Sequence, residues 1–334
     1  MKKFFSTISL ILTFSCLMPI AGAAEHPLLG RWALTIPGGG AGWLGVEEKA
    51  GQLKSSILWG GGSVVPTQQT VADDNKLIIT REFKNKIKTP EGKEETETTK
   101  ETITAEAEGD ALKLTTVKAK ADGQPFGQAS FTGIRIAPLP PAPDLSKVKF
   151  GGPIALFKGP GLAGWRLINP KDDNGWSLQD GILQNRVTKE KGKHYGNLRT
   201  DAEFGDFRLT TEVRTLPDGN SGIYLRGIYE VQIMESYSKP VDSHHMGALY
   251  SRITPSEAAE KPIGEWQTLD ITLLQRHLTV ILNGKKIIDN QPIAGCTGGA
   301  LTSDETKPGP LYLQGDHTDV DYRNMILRPV VGLQ

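Results

Sequence analysis

Apolar and polar residues alternate with a period of two through most of this chain. In YEVQIMES, residues 229–236, Tyr229, Val231 and Ile233 are apolar while Glu230 and Gln232 between them are polar, so the segment reads as a strand with one buried face. The same pattern sends Ile223 and Leu225 inward in NSGIYLR and leaves Tyr224 and Arg226 on the opposite face. In LYLQGDH, Leu311 and Leu313 point inward against Tyr312 and Gln314, and in VDYRN Arg323 points outward against Val320 and Tyr322. Alternating runs also fill the N-terminal third, in RWALTI, SSILWG, KLIITREF, KETITAEA, ALKLTTVKA and ASFTGIRI. Helical periodicity is almost absent, and the expected class is all-β. Turn chemistry predicts hairpins at Asp218 and Gly219 and at Asn283 and Gly284. The charged tract KNKIKTPEGKEETETTKE, with Pro90 and Gly92 between alternating arms, predicts a long solvated hairpin.

Composition then divides the chain. Four prolines fall between positions 138 and 143, within APLPPAPDL, and make 137–145 a stiff linker. Residues 25–136 are expected to form a small antiparallel barrel or sandwich of open role, with Trp32 of LLGRW, an opening that resembles lipocalin-type barrels, as a core plug. Residues 146–334 are expected to form a jelly-roll β-sandwich whose concave face suits an extended sugar. Residues 1–24 carry Lys2 and Lys3, an apolar run and a small-residue ending, the pattern of a signal peptide cleaved after Ala23 or Ala24. A periplasmic or secreted protein follows. A lipoprotein anchored at Cys16 is the weaker reading, because Thr13 and Phe14 stand where a lipobox needs aliphatic and small residues. Removal of the leader leaves Cys296 alone, so no internal disulfide is expected and the thiol reads as a small buried hydrophobe. No later segment is long and apolar enough to span a bilayer. Lys plus Arg and Asp plus Glu balance at 38 each in 334 residues, which removes any bulk attraction to nucleic acid or acidic membrane.

If the C-terminal strands share a sheet, Arg226, Glu230, Gln232, Gln314 and Arg323 form one polar surface edged by His245 and His317, with Tyr224 and Tyr312 free to stack on pyranose faces. Duller roles exist for each. Glu230 can be an ion-pair partner of Arg226, His244 and His245 diverge on an extended backbone, and His317 with Asp316 and Asp319 can bind a metal or cap a turn. EVQIME also resembles the strand signature of laminarinase and lichenase-type glucanases. Gln232 stands at the aspartate position of that signature, and Glu235, five residues beyond Glu230, faces the other way unless a bulge returns it.

A fuller resemblance spans nearly all of the second unit. ALFKGPGLAGW, WSLQDGIL, GNLRTDAEFGDFRLTTEVR, GNSGIYLR, YEVQI, HMGALY, KPIGEWQTLDITLLQRHLTVILNGKKIID and LQGDH with YRN follow in order the pattern of the 3-keto-disaccharide hydrolase family. The resemblance implies a concanavalin-like jelly roll that cleaves glycosides already oxidised at C3. A C3 ketone acidifies the C2 proton, so one base and one enolate stabiliser can expel the glycosidic oxygen as a lyase or hydrolase. On this reading Glu230 or His245 is the base, and Arg226, or a divalent metal held by Glu230 and His317, stabilises the enolate. Gln232 and Gln314 hold hydroxyls, with Tyr224, Tyr312 and Arg323 as further substrate contacts. A non-catalytic carbohydrate-binding module and a conventional β-glucanase are the alternatives.

Overall fold

The computed structural model describes residues 26–37, 40–73, 75–88, 92–157 and 161–333. The signal peptide, its cleavage site and Cys16 lie outside the described residues. Among the described residues every extended element is a strand of an antiparallel sheet, apart from one 3₁₀ turn at Leu145–Lys147. No helix among them is long and apolar enough to cross a membrane.

The N-terminal unit is one nine-stranded sheet in the order Val65–Pro66, Gln52–Trp59, Ala41–Lys49, Gly30–Thr35, Pro125–Arg135, Ala111–Lys120, Glu94–Glu108, Lys76–Lys88 and Gln69–Asp73. The two strands at its edges are consecutive in the chain, so the sheet curls until its ends meet. Ser55 Oγ lies 2.8 Å from Thr67 Oγ1 and 2.7 Å from Thr70 Oγ1 across that seam. The result is a barrel that leaves few free edges. Trp32 is fully buried among Leu34, Leu44, Ile57, Leu77 and Ile103, and its indole N–H donates to the Leu28 carbonyl at 3.0 Å. The expected charged hairpin pairs in continuous register from Lys76 opposite Glu106 to Lys88 opposite Glu94, with Pro90 outside the described residues.

The C-terminal unit is a jelly-roll sandwich. One sheet follows the order Trp176–Gln179, Ile182–Asn185, Val320–Leu333, Phe207–Thr215, Gln267–Leu274, His277–Leu282 and Lys285–Pro292, with Val148–Phe150 and Ile154–Ala155 pairing on the long last strand. The other contains Trp165–Leu167, Leu198–Phe204, Gly309–Leu313, Asn220–Leu225 and Tyr229–Met234 in that order. Leu209, Val213, Ile271 and Leu327 of the first sheet pack against Ile223, Val231, Ile233 and Leu313 of the second.

The predicted turn at Asn283 and Gly284 is a hairpin with both residues at positive φ. Asp218 and Gly219 do not close one. The strands they join, Phe207–Thr215 and Asn220–Leu225, lie in opposite sheets, and only Asp218 has a positive φ, so the turn carries the chain across the sandwich. The hairpin next to it instead uses Arg226 (φ 56) and Gly227 (φ 67), with the Ile228 N–H donating to the Leu225 carbonyl at 3.0 Å.

The proline-rich stretch is extended and pinned to both units. The Ala137 carbonyl accepts from Arg31 and Arg276, each at 3.0 Å, and the Pro143 carbonyl accepts from Asn290 at 2.9 Å. Trp43, Leu58 and Ile136 of the barrel belong to the apolar cluster of the sandwich. The Trp43 indole donates to the Ala294 carbonyl at 2.9 Å while Arg252 lies over its ring. Cys296 is buried at this junction, where desolvation pushes its thiol up to about 12 and leaves it a packed hydrophobe.

Candidate functional site

The hairpin register decides which side chains meet. Tyr224 lies opposite Glu230 and Gly222 opposite Gln232, while on its other edge Asn220–Leu225 sets Tyr224 opposite Tyr312. Alternation then puts Tyr224, Glu230, Gln232, Tyr312 and Gln314 on the face turned away from the sandwich core. That face is covered rather than open. Loops at 60–62 and 298–299 rise over it and residues 248–250 pair along the free edge of Tyr229–Met234, so Glu230 and Gln232 are each only 3% exposed. Between these loops lies a hollow of about 330 Å³, floored by Glu230, Gln232 and Gln314 and rimmed by the exposed Gly61, Gly62, Asp316 and His317.

Glu230 dominates its electrostatics. Burial pushes the carboxyl up to about 8, against the lowering effects of a hydrogen bond to Tyr224 and of the nearby His317. The hydrogen bonds agree with a protonated acid. Tyr224 Oη is 2.8 Å from Glu230 Oε2 and 2.8 Å from the Gly298 carbonyl, yet a hydroxyl has one proton. Both contacts are satisfied when Glu230 donates to Tyr224 and Tyr224 donates to Gly298. The carboxyl itself lies over Gly222, where a Cβ would sit 2.9 Å from Glu230 Cγ and Cδ. On the rim, Asp316 Oδ1 lies 2.5 Å from His317 Nδ1 and raises the imidazole pKa, so His317 holds its proton to higher pH than a free histidine. Gln232 Oε1 and Gln314 Oε1 are buried with no hydrogen-bond partner in the protein. Such acceptors suit ligand hydroxyls.

The structure therefore brings Glu230, Gln232, Gln314 and His317 together, with Tyr224 and Tyr312 beneath them. It places Tyr224, Tyr312, Arg226, Arg323 and His245 otherwise than expected, while Glu235, His244 and Asp319 follow the plainer readings of the sequence. Tyr224 and Tyr312 stack on each other with centroids 3.8 Å apart and planes 12° from parallel, and at 1% and 2% exposure they offer no face to a pyranose. Their hydroxyls brace Glu230 and the carbonyls of Gly298 and Gly299 instead. Arg226 occupies a turn position with left-handed backbone, so strand alternation ends at Leu225, and its guanidinium donates to the Glu305 and Lys307 carbonyls away from the hollow. Arg323 belongs to the opposite sheet, where it pairs with Glu212 at 2.9 Å and lies over Trp266. His245 turns its Nδ1 to the Pro240 carbonyl at 2.7 Å and lines a separate cavity, while His244 diverges toward Ser63. Glu235 pairs with Lys239 outside the hollow. Asp319 caps the Val187 N–H at 2.8 Å. Among the described residues no group of three or more His, Cys, Asp or Glu side chains is set to hold a metal ion.

Sequence reasoning missed Asn197, Asn220, Tyr250 and the glycines at 61, 62, 298 and 299, all of which line the hollow. Small polar and glycine residues in loops carry no local signal of a site.

No curated protein matches the chain. Among solved structures, two provisionally assigned glycosyl hydrolases of Parabacteroides distasonis ATCC 8503 are similar to its C-terminal half. One is 20% identical, covering 54% of this chain and 94% of that one with a TM-score of 0.45; the other is 25% identical, covering 54% and 100% with a TM-score of 0.41. A carbohydrate-binding module of Bacillus subtilis is 14% identical over 48% of this chain and 93% of its own, with a TM-score of 0.33. The family model of the 3-keto-alpha-glucoside-1,2-lyase-like domain matches residues 152–328. Those residues contain the whole floor of the hollow, and the chain belongs to the 3-keto-alpha-glucoside-1,2-lyase-like (3-keto-disaccharide hydrolase) family.

Proposed function

We propose that this chain is an exported carbohydrate-active enzyme that cleaves the glycosidic bond of 3-keto-glycosides or 3-keto-disaccharides by elimination and hydration. The observation that carries the reading is Glu230, a buried carboxyl with its pKa raised to about 8, aimed into a polar hollow beside a histidine. The family name supports the substrate class. Retaining glycosidases instead need two carboxyl groups about 5 Å apart; here the amide Gln232 stands two residues beyond Glu230, Glu235 pairs with Lys239 outside the hollow, and the other carboxyl of the hollow, Asp316, is engaged by His317 on the rim.

The chemistry follows from the ketone. Ionised Glu230 takes the C2 proton, and the C–H electrons form a C2–C3 enolate with its charge on the former carbonyl oxygen. The His317 cation stabilises that charge. Collapse of the enolate makes a C1–C2 double bond and breaks the bond from C1 to the glycosidic oxygen, which takes the proton from Glu230. Water then adds at C1 and C2 regains a proton. A base with a pKa near the working pH is strong enough to act and still ionised often enough to do so.

An ion held by Glu230 and His317 would be a second way to stabilise the enolate, and the unpartnered oxygens of Gln232 and Gln314 support that reading. The two readings differ in pH dependence. With burial alone setting Glu230, the acid limb of kcat/KM for a 3-keto-glucoside inflects near pH 8 and a chelator changes nothing. A bound cation would stabilise the carboxylate, moving the inflection well below 8, and chelation would stop turnover. Sugar affinity without release from either the keto or the ordinary glucoside would make this a binding module.

A further inference from the structure

The family match begins at residue 152, yet the hollow is bounded by Gly61 and Gly62 of the N-terminal barrel. We propose that this barrel is part of the sugar site: its loop 60–63 is an end wall that makes a bound glycoside extend in one direction, over Asp316 and His317. The nature of the ligand rests on the function proposed above.

The loop is held at several points. The Gly299 N–H donates to the Gly60 carbonyl at 2.9 Å, and the Val64 N–H donates to Ser251 Oγ at 2.8 Å. Ser63 Oγ lies 2.8 Å from His244 Nε2, whose Nδ1 is 2.7 Å from Asp242 Oδ1, so a polar chain ties barrel to sandwich. Contact is close enough to demand glycine. A Cβ on Gly298 would overlap the Gly62 carbonyl oxygen and come within 2.8 Å of its nitrogen.

Strand register gives the wall its position. Gly298 and Gly299 accept from the hydroxyls of Tyr224 and Tyr312, which places the wall at the Tyr224 end of Asn220–Leu225. At the other end the Asn220 N–H donates to Thr318 Oγ1 at 2.6 Å, next to His317. Four residues of strand put about 13 Å between the two ends. Glu230 pairs with Tyr224 and is therefore beside the wall, while Gln232 is two pairs nearer the exit. Beyond the exit a second cavity of about 730 Å³ shares Asp316 and His317 with the hollow and is lined by Thr188 and Tyr195. The oxidised pyranose thus sits against the barrel, and the leaving group lies in the second cavity.

Three full-length variants, at two positions, test this polarity. Nothing lies within 4 Å of a Cβ at Gly61, and its backbone is outside the left-handed region, so a side chain can start there from open space and Gly61→Phe adds bulk to the wall. Affinity by calorimetry and turnover are measured for methyl 3-keto-glucoside and a 3-keto-disaccharide. Gly61→Phe should weaken both by about tenfold or more with their ratio kept, with Gly61→Ala giving a smaller drop in the same direction. Tyr195→Ala should lower the preference for the disaccharide over the methyl glycoside by about tenfold. Wild-type values for Gly61→Phe, or a selective loss of the disaccharide in that variant and not in Tyr195→Ala, would overturn the end wall. Binding that follows the expected pattern with no turnover by the wild type would leave the wall standing and overturn the enzymatic reading.

Discussion

Glu230→Gln should lower cleavage of a 3-keto-glycoside by about 10²–10⁴-fold, the usual worth of a general base, while making the protein harder to unfold above pH 8. The two effects share one cause. Burial holds the wild-type carboxyl protonated up to about pH 8, whereas in the unfolded chain it ionises near 4.5. Between those values the folded state binds the extra proton, so wild-type stability falls as pH rises through the window. The full span is on the order of 5 kcal/mol. Glutamine keeps the hydrogen-bond chain, since its amide N–H can donate to Tyr224 while Tyr224 donates to Gly298, but it has no proton to lose. Urea unfolding of both proteins at pH 4 and pH 9 should therefore give similar values at the lower pH and a clear advantage to the variant at the higher. Retained turnover in the variant would remove Glu230 from the mechanism, and a wild-type stability that is flat across the window would remove the buried acid.

What the sequence could show depended on whether the information was local. The in-and-out order of Tyr224, Glu230, Gln232, Tyr312 and Gln314 follows from strand alternation alone, and the structure keeps it. Sheet membership is a long-range property. Arg323 alternates outward as predicted, but from the opposite sheet, which puts it against Trp266 rather than beside Glu230. Turn residues misled in a similar way. Asp218 and Gly219 favour a reversal whether the chain returns to the same sheet or crosses to the other, and the true hairpin uses Arg226, a residue without turn preference. Burial of the polar face was illegible because the segments that enclose it come from three separate parts of the chain, one of them in the barrel. The run WGGGS at 59–63 carries no signal of a site by itself. Its glycines take on meaning when Gly298 packs against Gly62.

Gly222→Ala should cost about 10²-fold in turnover without removing any reacting group. The backbone at Gly222 lies outside the left-handed region, so alanine is conformationally acceptable there, and the harm comes from the methyl alone. A Cβ at this position would overlap Glu230 Oε1 and lie 2.9 Å from Cγ and Cδ, while Tyr224 and the Gly298 carbonyl close the opposite side. The carboxyl can escape only toward the mouth of the hollow. A displacement of about 1 Å at a reacting group is enough for a loss of this size. Movement toward water also relieves the desolvation that raises its pKa, so the acid limb of the pH profile should shift below 8 together with the loss of rate. Crowding a packed face should remove a further ~1–3 kcal/mol of stability. Combining Gly222→Ala with Glu230→Gln separates these effects. The isosteric amide meets the same methyl, so the double variant should keep the steric penalty but lose no further activity. A single variant with wild-type turnover and an unmoved acid limb would mean that the carboxyl does not work from its place above Gly222.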